Sequence, residues 1–256
     1  RKFNSASCRT VVVDNCSTDD SLSILGEYLL EHKNAFELIS APENGGYAQG
    51  NNVGLKYLED APEIDRILIL NNDVLFTQDI LPRLSVFLDS HPEAGVVSPL
   101  LYCRDGKTVD YNCARKDCSI REIVWTYLLY FTDIFGMLSR FSNRRKLLLK
   151  NPSLLNFPEV EIELPSGSCF MIRKDLFRKI GWFDPNTFLY YEENILESAI
   201  ICNIKDYDKC ICILDAFLQC GPIQKSIFDE WYDALSNVFT EVFGNNELEV
   251  CRDTIK

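Results

Sequence analysis

Positive charge is scarce in this chain: 26 Lys and Arg stand against 38 Asp and Glu, a formal net charge of −12. A nucleic-acid backbone selects basic surfaces, so this balance excludes nucleic acid as a partner. Most of the acidic excess reads as solvated surface. Long uncharged apolar runs are missing, which excludes a membrane-spanning helix on sequence grounds. No basic segment followed by an apolar one opens the chain, so no secretory signal is expected, although it starts at Arg1 rather than Met. Histidine occurs only at His32 and His91, and the 11 cysteines include no CxxC pair. Cys210 and Cys212 would share one face of a strand, but with so few imidazoles a zinc site is disfavoured. Reduced, mostly buried thiols in a cytoplasmic protein are expected instead. Internal repeats and low-complexity segments are absent.

What is present is enough apolar chain, 46% of 256 residues, for one sizeable core. Residues 9–13 read as a short strand ending at Asp14-Asn15. Ser17 to Asp20 are helix-capping types ahead of an apolar-periodic stretch over 22–30. A second strand is predicted at 36–39, a turn at Asn44-Gly45-Gly46 and a helix over 48–58. A buried strand follows at 66–70, then a helix over 79–90 with Pro82 in its first turn. A further strand starts at 95–98. Strands alternating with helices across short links imply βαβ units and a mainly parallel sheet flanked by helices. Beyond residue 100 the pattern changes. Residues 119–150 look helical and aromatic, 161–173 extended with a break at Ser166-Gly167-Ser168, 210–214 a strand, and 223–243 a helical tail. A helix is expected after Glu192-Glu193.

In open α/β sheets ligands bind at the carboxyl ends of strands. Two predicted strands end in polar clusters there, Asp14-Asn15 and Asn71-Asn72-Asp73. The Glu192-Glu193 pair follows the aromatic run 188–191. Singly, each cluster also fits a turn or a helix cap.

Together with their contexts these clusters resemble family-2 glycosyltransferases. The stretches that carry the resemblance are Val11-Val12-Val13-Asp14-Asn15-Cys16-Ser17-Thr18-Asp19-Asp20-Ser21 and Asn44-Gly45-Gly46-Tyr47-Ala48-Gln49-Gly50-Asn51-Asn52-Val53-Gly54. They continue with Leu70-Asn71-Asn72-Asp73-Val74, with Ser166-Gly167-Ser168 ahead of Gly181-Trp182-Phe183-Asp184, and with 188–196. These elements stand in the family's order from Thr10 to Leu196, and rhamnosyltransferase-like enzymes of bacterial surface polysaccharides share them. The resemblance implies a GT-A fold, with residues 1–100 as the nucleotide-sugar half. Residues 101–222 would be the acceptor-side half, with a helical insertion near 119–150, and 223–256 a helical tail.

It also implies roles. Asp14, Asn15, Ser17, Asn44, Gly46, Tyr47, Asn51, Asn52 and Asn72 would line the donor. Asp73, with Asn71 in place of a first acid, would hold Mg²⁺ or Mn²⁺. One acid in place of two predicts weak metal binding by protein alone, the metal arriving with the sugar nucleotide. Glu193, or its neighbour Glu192, would take the proton of the acceptor hydroxyl. Gly167, Ser168, Trp182 and Asp184 would face the acceptor. The expected reaction is inverting transfer of a hexosyl or rhamnosyl unit from a UDP- or dTDP-type donor to a saccharide or lipid-linked saccharide.

Three departures from the pattern carry expectations. Relatives have a further strand and helix before Val11, where only about ten residues stand here; exposed core and weakened nucleotide binding would follow. Ala199 stands where many relatives have arginine, and Gln219 where a histidine is frequent; neither is given a role. The alternative reading is therefore a degenerate or truncated module that binds a partner without catalysis. A nucleotidylyltransferase is disfavoured, because no Gly-rich basic loop follows the first strand. Finally, 122–150 combines an aromatic-apolar face with Arg140, Arg144, Arg145 and Lys146 at its end. Peripheral docking at the inner face of a membrane and a packed helical lid both fit this pattern.

Overall fold

β-Branched and leucine-rich runs set the strands, and their side-chain alternation builds two cores on opposite faces of one sheet. In β3 (Arg66–Leu70), Ile67 and Ile69 enter one core and Leu68 packs on the other. In β9 (Cys169–Arg173), Phe170 and Ile172 point one way, Cys169 and Met171 the other. The first core is closed by Ala48 and Leu55 of α2 (Gly46–Tyr57), by Leu176 and Phe177 of α4 (Lys174–Lys179), and by Leu196 of α5 (Glu192–Asn203). Leu84 and Leu88 of α3 (Leu81–Ser90) close the second. Helices therefore cover both faces, the arrangement expected from the βαβ pattern.

The computed structural model describes residues 8–116, 153–188, 192–203 and 209–220. The expected helical segment at 119–150, its membrane-facing basic end and the 223–256 tail lie outside the described residues. No described helix is long and apolar enough to cross a membrane.

The remaining strands are β1 (Val11–Asp14), β2 (Glu37–Ser40), β4 (Val74–Leu75), β5 (Ala94–Tyr102), β6 (Ala114–Arg115), β7 (Glu159–Ile162), β8 (Leu164–Pro165) and β10 (Lys209–Cys220). The larger sheet has the order β3-β9-β5-β10-β4, with β7 also on β10. Among the described residues it is mixed rather than mainly parallel, which corrects the sequence expectation: β5 and β10 pair in parallel, and its other pairings are antiparallel. The cause lies in β9. It returns from the second half of the chain and inserts between β3 and β5, which one βαβ step would otherwise have made neighbours.

β1 and β2 form a separate parallel pair. Among the described residues β1 pairs only with β2, and β3 only with β9. Val11 to Val13 are half-buried, and α1 (Ser21–Glu31) buries no residue. Leu30 of α1 is 79% exposed. Contacts that tie this pair to the rest include an ion-pair bridge and a close helix packing. Arg9 bridges Glu37 and Glu63, both at 2.9 Å, tying the start of β1 to the turn before β3. Helix α2 packs against β1 through Gly50 and Gly54. A Cβ at Gly50 would sit 3.0 Å from the Asn15 side chain, and one at Gly54 3.0 Å from Val13. Glycine is a poor helix former, so the close approach it permits is what this spacing secures.

Candidate active site

The β1 and β3 ends, the α2 start and the α5 start all carry motif residues, and short hydrogen bonds join three of these elements. Asp14 ends β1 almost buried, and its Oδ2 accepts from the Ser17 amide at 3.3 Å, across the left-handed Cys16. The Asn15 Nδ2 donates to Asn44 Oδ1 and to the Gly46 carbonyl, each at 3.0 Å. Asn44 Oδ1 also accepts from the Gly46 amide at 3.1 Å. The two donor-side motifs are thus one hydrogen-bonded unit.

That unit continues into the segment ahead of the acid pair. Gly46 has φ +76°, and a Cβ there would lie 2.1 Å from the Phe188 carbonyl oxygen. Tyr47 donates its amide to that oxygen at 2.8 Å, and Gln49 Nε2 donates to the Pro185 carbonyl at 2.9 Å. Asn52 is 8% exposed and spends its amide on the Phe183 backbone, donating to the carbonyl at 2.9 Å and accepting from the N–H at 3.1 Å. Asn51 Nδ2 donates back to the Tyr47 carbonyl. The Asn51 and Asn52 side chains, expected at the donor, hold the protein to itself. Gln49, Phe183 and Phe188 were not singled out from sequence, since a bond to a distant backbone carbonyl leaves no local pattern. The Gly-Gly dipeptide, which marks a left-handed turn, was the only available signal.

The turn Ser166–Cys169 joins the other elements. It closes through the Cys169 amide to the Ser166 carbonyl at 3.2 Å. The Ser168 carbonyl accepts from the Asn71 amide at 2.9 Å, at the end of β3. The Gly167 carbonyl accepts from the Tyr47 hydroxyl at 2.7 Å. The Gly167 amide donates to Glu193 Oε1 at 2.8 Å. A Cβ at Gly167 would lie 2.2 Å from that oxygen, so only glycine leaves the carboxylate this position. Tyr47 stands edge-on to Phe183, with ring centres 5.5 Å apart. Burial first, and then the negative charges of Glu193 and Glu192, push its phenol well above its ordinary value, so it stays a hydrogen-bond donor.

The two acids of α5 differ in exposure. Glu192 is 4% exposed and Glu193 is half-buried. Both lie in the first turn of the helix, where carboxylates complement the helix dipole. Asn72 is exposed. Asp73 Oδ1 is buried and has no hydrogen-bond partner. A carboxylate oxygen withdrawn from water and without a donor fits a cation ligand. Among the described residues no group of three or more His, Cys, Asp or Glu gathers to hold a metal by protein ligands alone.

Trp182 and Asp184, expected to face the acceptor, serve their own turn. Trp182 has φ +69° and packs edge-on against Phe177 at 5.3 Å. Asp184 Oδ1 accepts from the Asn186 amide and side chain at 2.9 and 2.7 Å. Gln219 pairs with Leu75, just beyond Asp73, but its Nε2 donates to the Arg104 carbonyl at 2.7 Å. Its amide belongs to the 103–108 turn.

The family model described as "Glycosyl transferase family 2" matches residues 4–181. The chain is 26% identical over 238 residues to the low-salt glycan biosynthesis hexosyltransferase Agl10 of Haloferax volcanii, covering 93% of this chain and 67% of that protein. Solved structures that share its fold include two with nucleotides. One is GalNAc-T7 with UDP, GalNAc and Mn²⁺, at TM-score 0.58 and 13% identity over 84% of this chain and 38% of that one. The other is the mannosyltransferase PcManGT of Pyrobaculum calidifontis with GDP-Man and Mn²⁺, at TM-score 0.51 and 15% identity over 93% and 56%. This chain thus spans well under two thirds of either solved chain. Its fold is that of the GT-A glycosyltransferases, and the chain belongs to glycosyl transferase family 2.

Proposed function

We propose that this protein transfers a hexosyl or rhamnosyl unit, with inversion, from a nucleoside-diphosphate sugar to a hydroxyl of a glycan or lipid-linked glycan. One observation carries the reading: a single tight turn, Ser166–Cys169, joins the end of β3 to the first turn of α5. It bonds Asn71 through the Ser168 carbonyl at 2.9 Å and Glu193 through the Gly167 amide at 2.8 Å. A donor-side cation ligand and a carboxylate base are thereby held on opposite sides of a two-residue bridge.

In this reading Glu193 is the base. It is half-buried, whereas Glu192 is almost fully enclosed, so Glu193 is the acid an acceptor can reach. The acceptor oxygen attacks the anomeric carbon as the carbon–oxygen bond to the diphosphate breaks. The proton passes to Glu193, and the nucleoside diphosphate leaves on the opposite face. Asp73, with Asn71 beside it, is the group suited to hold Mg²⁺ or Mn²⁺. That ion, when bound, supplies positive charge against the leaving diphosphate. In the same reading Asp14, Asn15 and Ser17 contact the nucleoside, and Asn44 with Gly46, hydrogen-bonded to Asn15, forms the adjoining wall. Asn72 is exposed toward the same end of the sheet. The presence of UDP or GDP-Man together with Mn²⁺ in the two solved proteins supports a metal-dependent donor. The glycan role of the haloarchaeal relative supports a saccharide acceptor, for which surface-polysaccharide assembly at the cytoplasmic face of a membrane is the proposed setting.

A binding module without catalysis is the second reading. It is favoured by the separation of β1 and β2 from the main sheet and by the commitment of Gln219 to the Arg104 carbonyl. Calorimetric titration with UDP, dTDP and GDP, each with and without Mn²⁺, separates the two. Metal-dependent binding of one nucleotide, lost in Asp73→Ala, is expected. With the matching donor, Glu193→Gln should lower turnover at least about 100-fold while keeping nucleotide binding. Full turnover in both variants refutes the mechanism, and no nucleotide binding with excess Mn²⁺ favours the module.

A further inference from the structure

We infer that Tyr47 is a positioning residue for Glu193, acting through Gly167, rather than a contact for the donor. The inference rests on the reading of Glu193 as the base and deepens it.

Gly167 is held from both sides. Its N–H donates to Glu193 Oε1 at 2.8 Å, and its carbonyl accepts from the Tyr47 hydroxyl at 2.7 Å. Glycine is the residue with the greatest backbone freedom, so a turn centred on it holds its amide direction only if both neighbouring peptide groups are fixed. The Ser166 carbonyl, which shares a peptide group with the Gly167 amide, accepts from the Cys169 amide at 3.2 Å and fixes that side. The Tyr47 hydroxyl fixes the carbonyl of Gly167 itself.

Tyr47 is suited to this task and poorly suited to meeting a nucleotide. Its ring packs edge-on to Phe183 in the core shared by α2, β3 and β9. Its amide donates to the Phe188 carbonyl at 2.8 Å, in the segment that leads into α5. The residue therefore grips the base helix from two directions: through its backbone to the chain before α5, and through its hydroxyl and Gly167 to the carboxylate. Orientation of a base within hydrogen-bond reach of its proton governs its rate contribution, and a small displacement is costly. One carboxylate oxygen is occupied by Gly167, which leaves the second to take the acceptor proton.

The test uses the intact chain. Ser166-Gly167 is the only Ser-Gly dipeptide in the sequence. Protein labelled with ¹³C at serine carbonyls and ¹⁵N at glycine therefore gives a single carbonyl-filtered amide signal, from Gly167, with no donor needed. Hydrogen bonding to a carboxylate holds this proton downfield. Glu193→Gln and Tyr47→Phe are both expected to move it upfield, and the double variant no further than Glu193→Gln alone. In the transfer assay Tyr47→Phe should lower kcat about tenfold, equivalent to 1.36 kcal/mol, with the Kd of UDP and Mn²⁺ within about twofold of the parent. Gly167→Ala, which drives a Cβ to 2.2 Å from Glu193 Oε1 and 3.2 Å from the Tyr47 hydroxyl, disturbs both ends of the relay and should lower kcat at least as much, again at unchanged nucleotide affinity. An unmoved Gly167 signal in Tyr47→Phe overturns the inference, as does a loss of UDP affinity with kcat retained. If Glu193→Gln keeps full turnover, the base assignment fails instead, and the amide signal separates the two failures.

Discussion

Asn52 offers the sharpest contrast between a motif residue that meets a ligand and one that holds the fold. Its side-chain amide satisfies the carbonyl of Phe183 at 2.9 Å and the N–H of Phe183 at 3.1 Å, inside the core beneath α2. Asn52→Ala removes both partners and leaves a backbone donor and a backbone acceptor buried together. Each orphaned group costs about 1–3 kcal/mol, and partial relaxation or one entering water recovers some of it, so a net loss of about 3 kcal/mol is expected. For a domain of this size that lowers Tm by about 6–12 °C. Asn52→Asp keeps the acceptor for the Phe183 N–H but sets a carboxylate oxygen against the Phe183 carbonyl. Its deficit should match or exceed that of alanine at neutral pH. It should shrink on acidification, because the protonated carboxyl can donate where the amide did. The assay is urea and thermal unfolding of the two variants beside calorimetric nucleotide titration. A loss below about 1 kcal/mol, together with a weakened nucleotide Kd, refutes the reasoning and returns Asn52 to the donor site.

Other outcomes follow from the same geometry. Gly46→Ala combines a left-handed φ of +76° with a Cβ 2.1 Å from the Phe188 carbonyl, so thermal unfolding should show a loss above about 2 kcal/mol. Gly26→Ala, inside α1 with nothing within 4 Å of the new Cβ, should instead be neutral or stabilising by up to about 1 kcal/mol. The Arg9 guanidinium, and then the Tyr57 hydroxyl, hold the Glu37 carboxyl below its ordinary value of 4.5. A depressed acid stabilises above its unfolded value, and that support fades as pH falls from about 4.5 through the lower folded value. Both side chains are 37% exposed, so the effect should stay under about 1 kcal/mol; unfolding curves of Glu37→Gln should flatten over that acidic range. Burial pushes the Cys169 thiol far above its ordinary value, and the Cys212 thiol and burial do the same to Cys113. Alkylation of the native protein followed by peptide mass mapping should label exposed Cys16 and spare Cys169, Cys113 and Cys212 until unfolding.

Much of the fold was legible because local patterns carried it. The run 66–70 is β3 to the residue, the strand expected at 36–39 lies at Glu37–Ser40, and the helix expected at 79–90 runs from Leu81 to Ser90. Two-residue strands such as β4, β6 and β8 were not legible, because they exist only through partners far along the chain. The same distinction runs through the site. Asp73 and the Glu192-Glu193 pair were proposed from motif order, because singly such acids also fit a turn or a helix cap. The uses of Asn51, Asn52, Trp182 and Asp184 could not be read there, because an amide or carboxylate bonded to a backbone group looks in sequence like one waiting for a ligand.

The sequence alone determined the alternation of strands and helices and the family. Hydrophobic periodicity and ordered motifs are local properties that survive without coordinates. Tertiary structure alone decided that β9 inserts between β3 and β5 and turns an expected parallel sheet into a mixed one. It also decided that Gly167 stands between Tyr47 and Glu193, although 120 residues separate Gly167 from Tyr47. Strand order and such contacts arise from burying apolar faces and satisfying backbone groups across the whole chain at once, a balance that no short stretch of sequence contains.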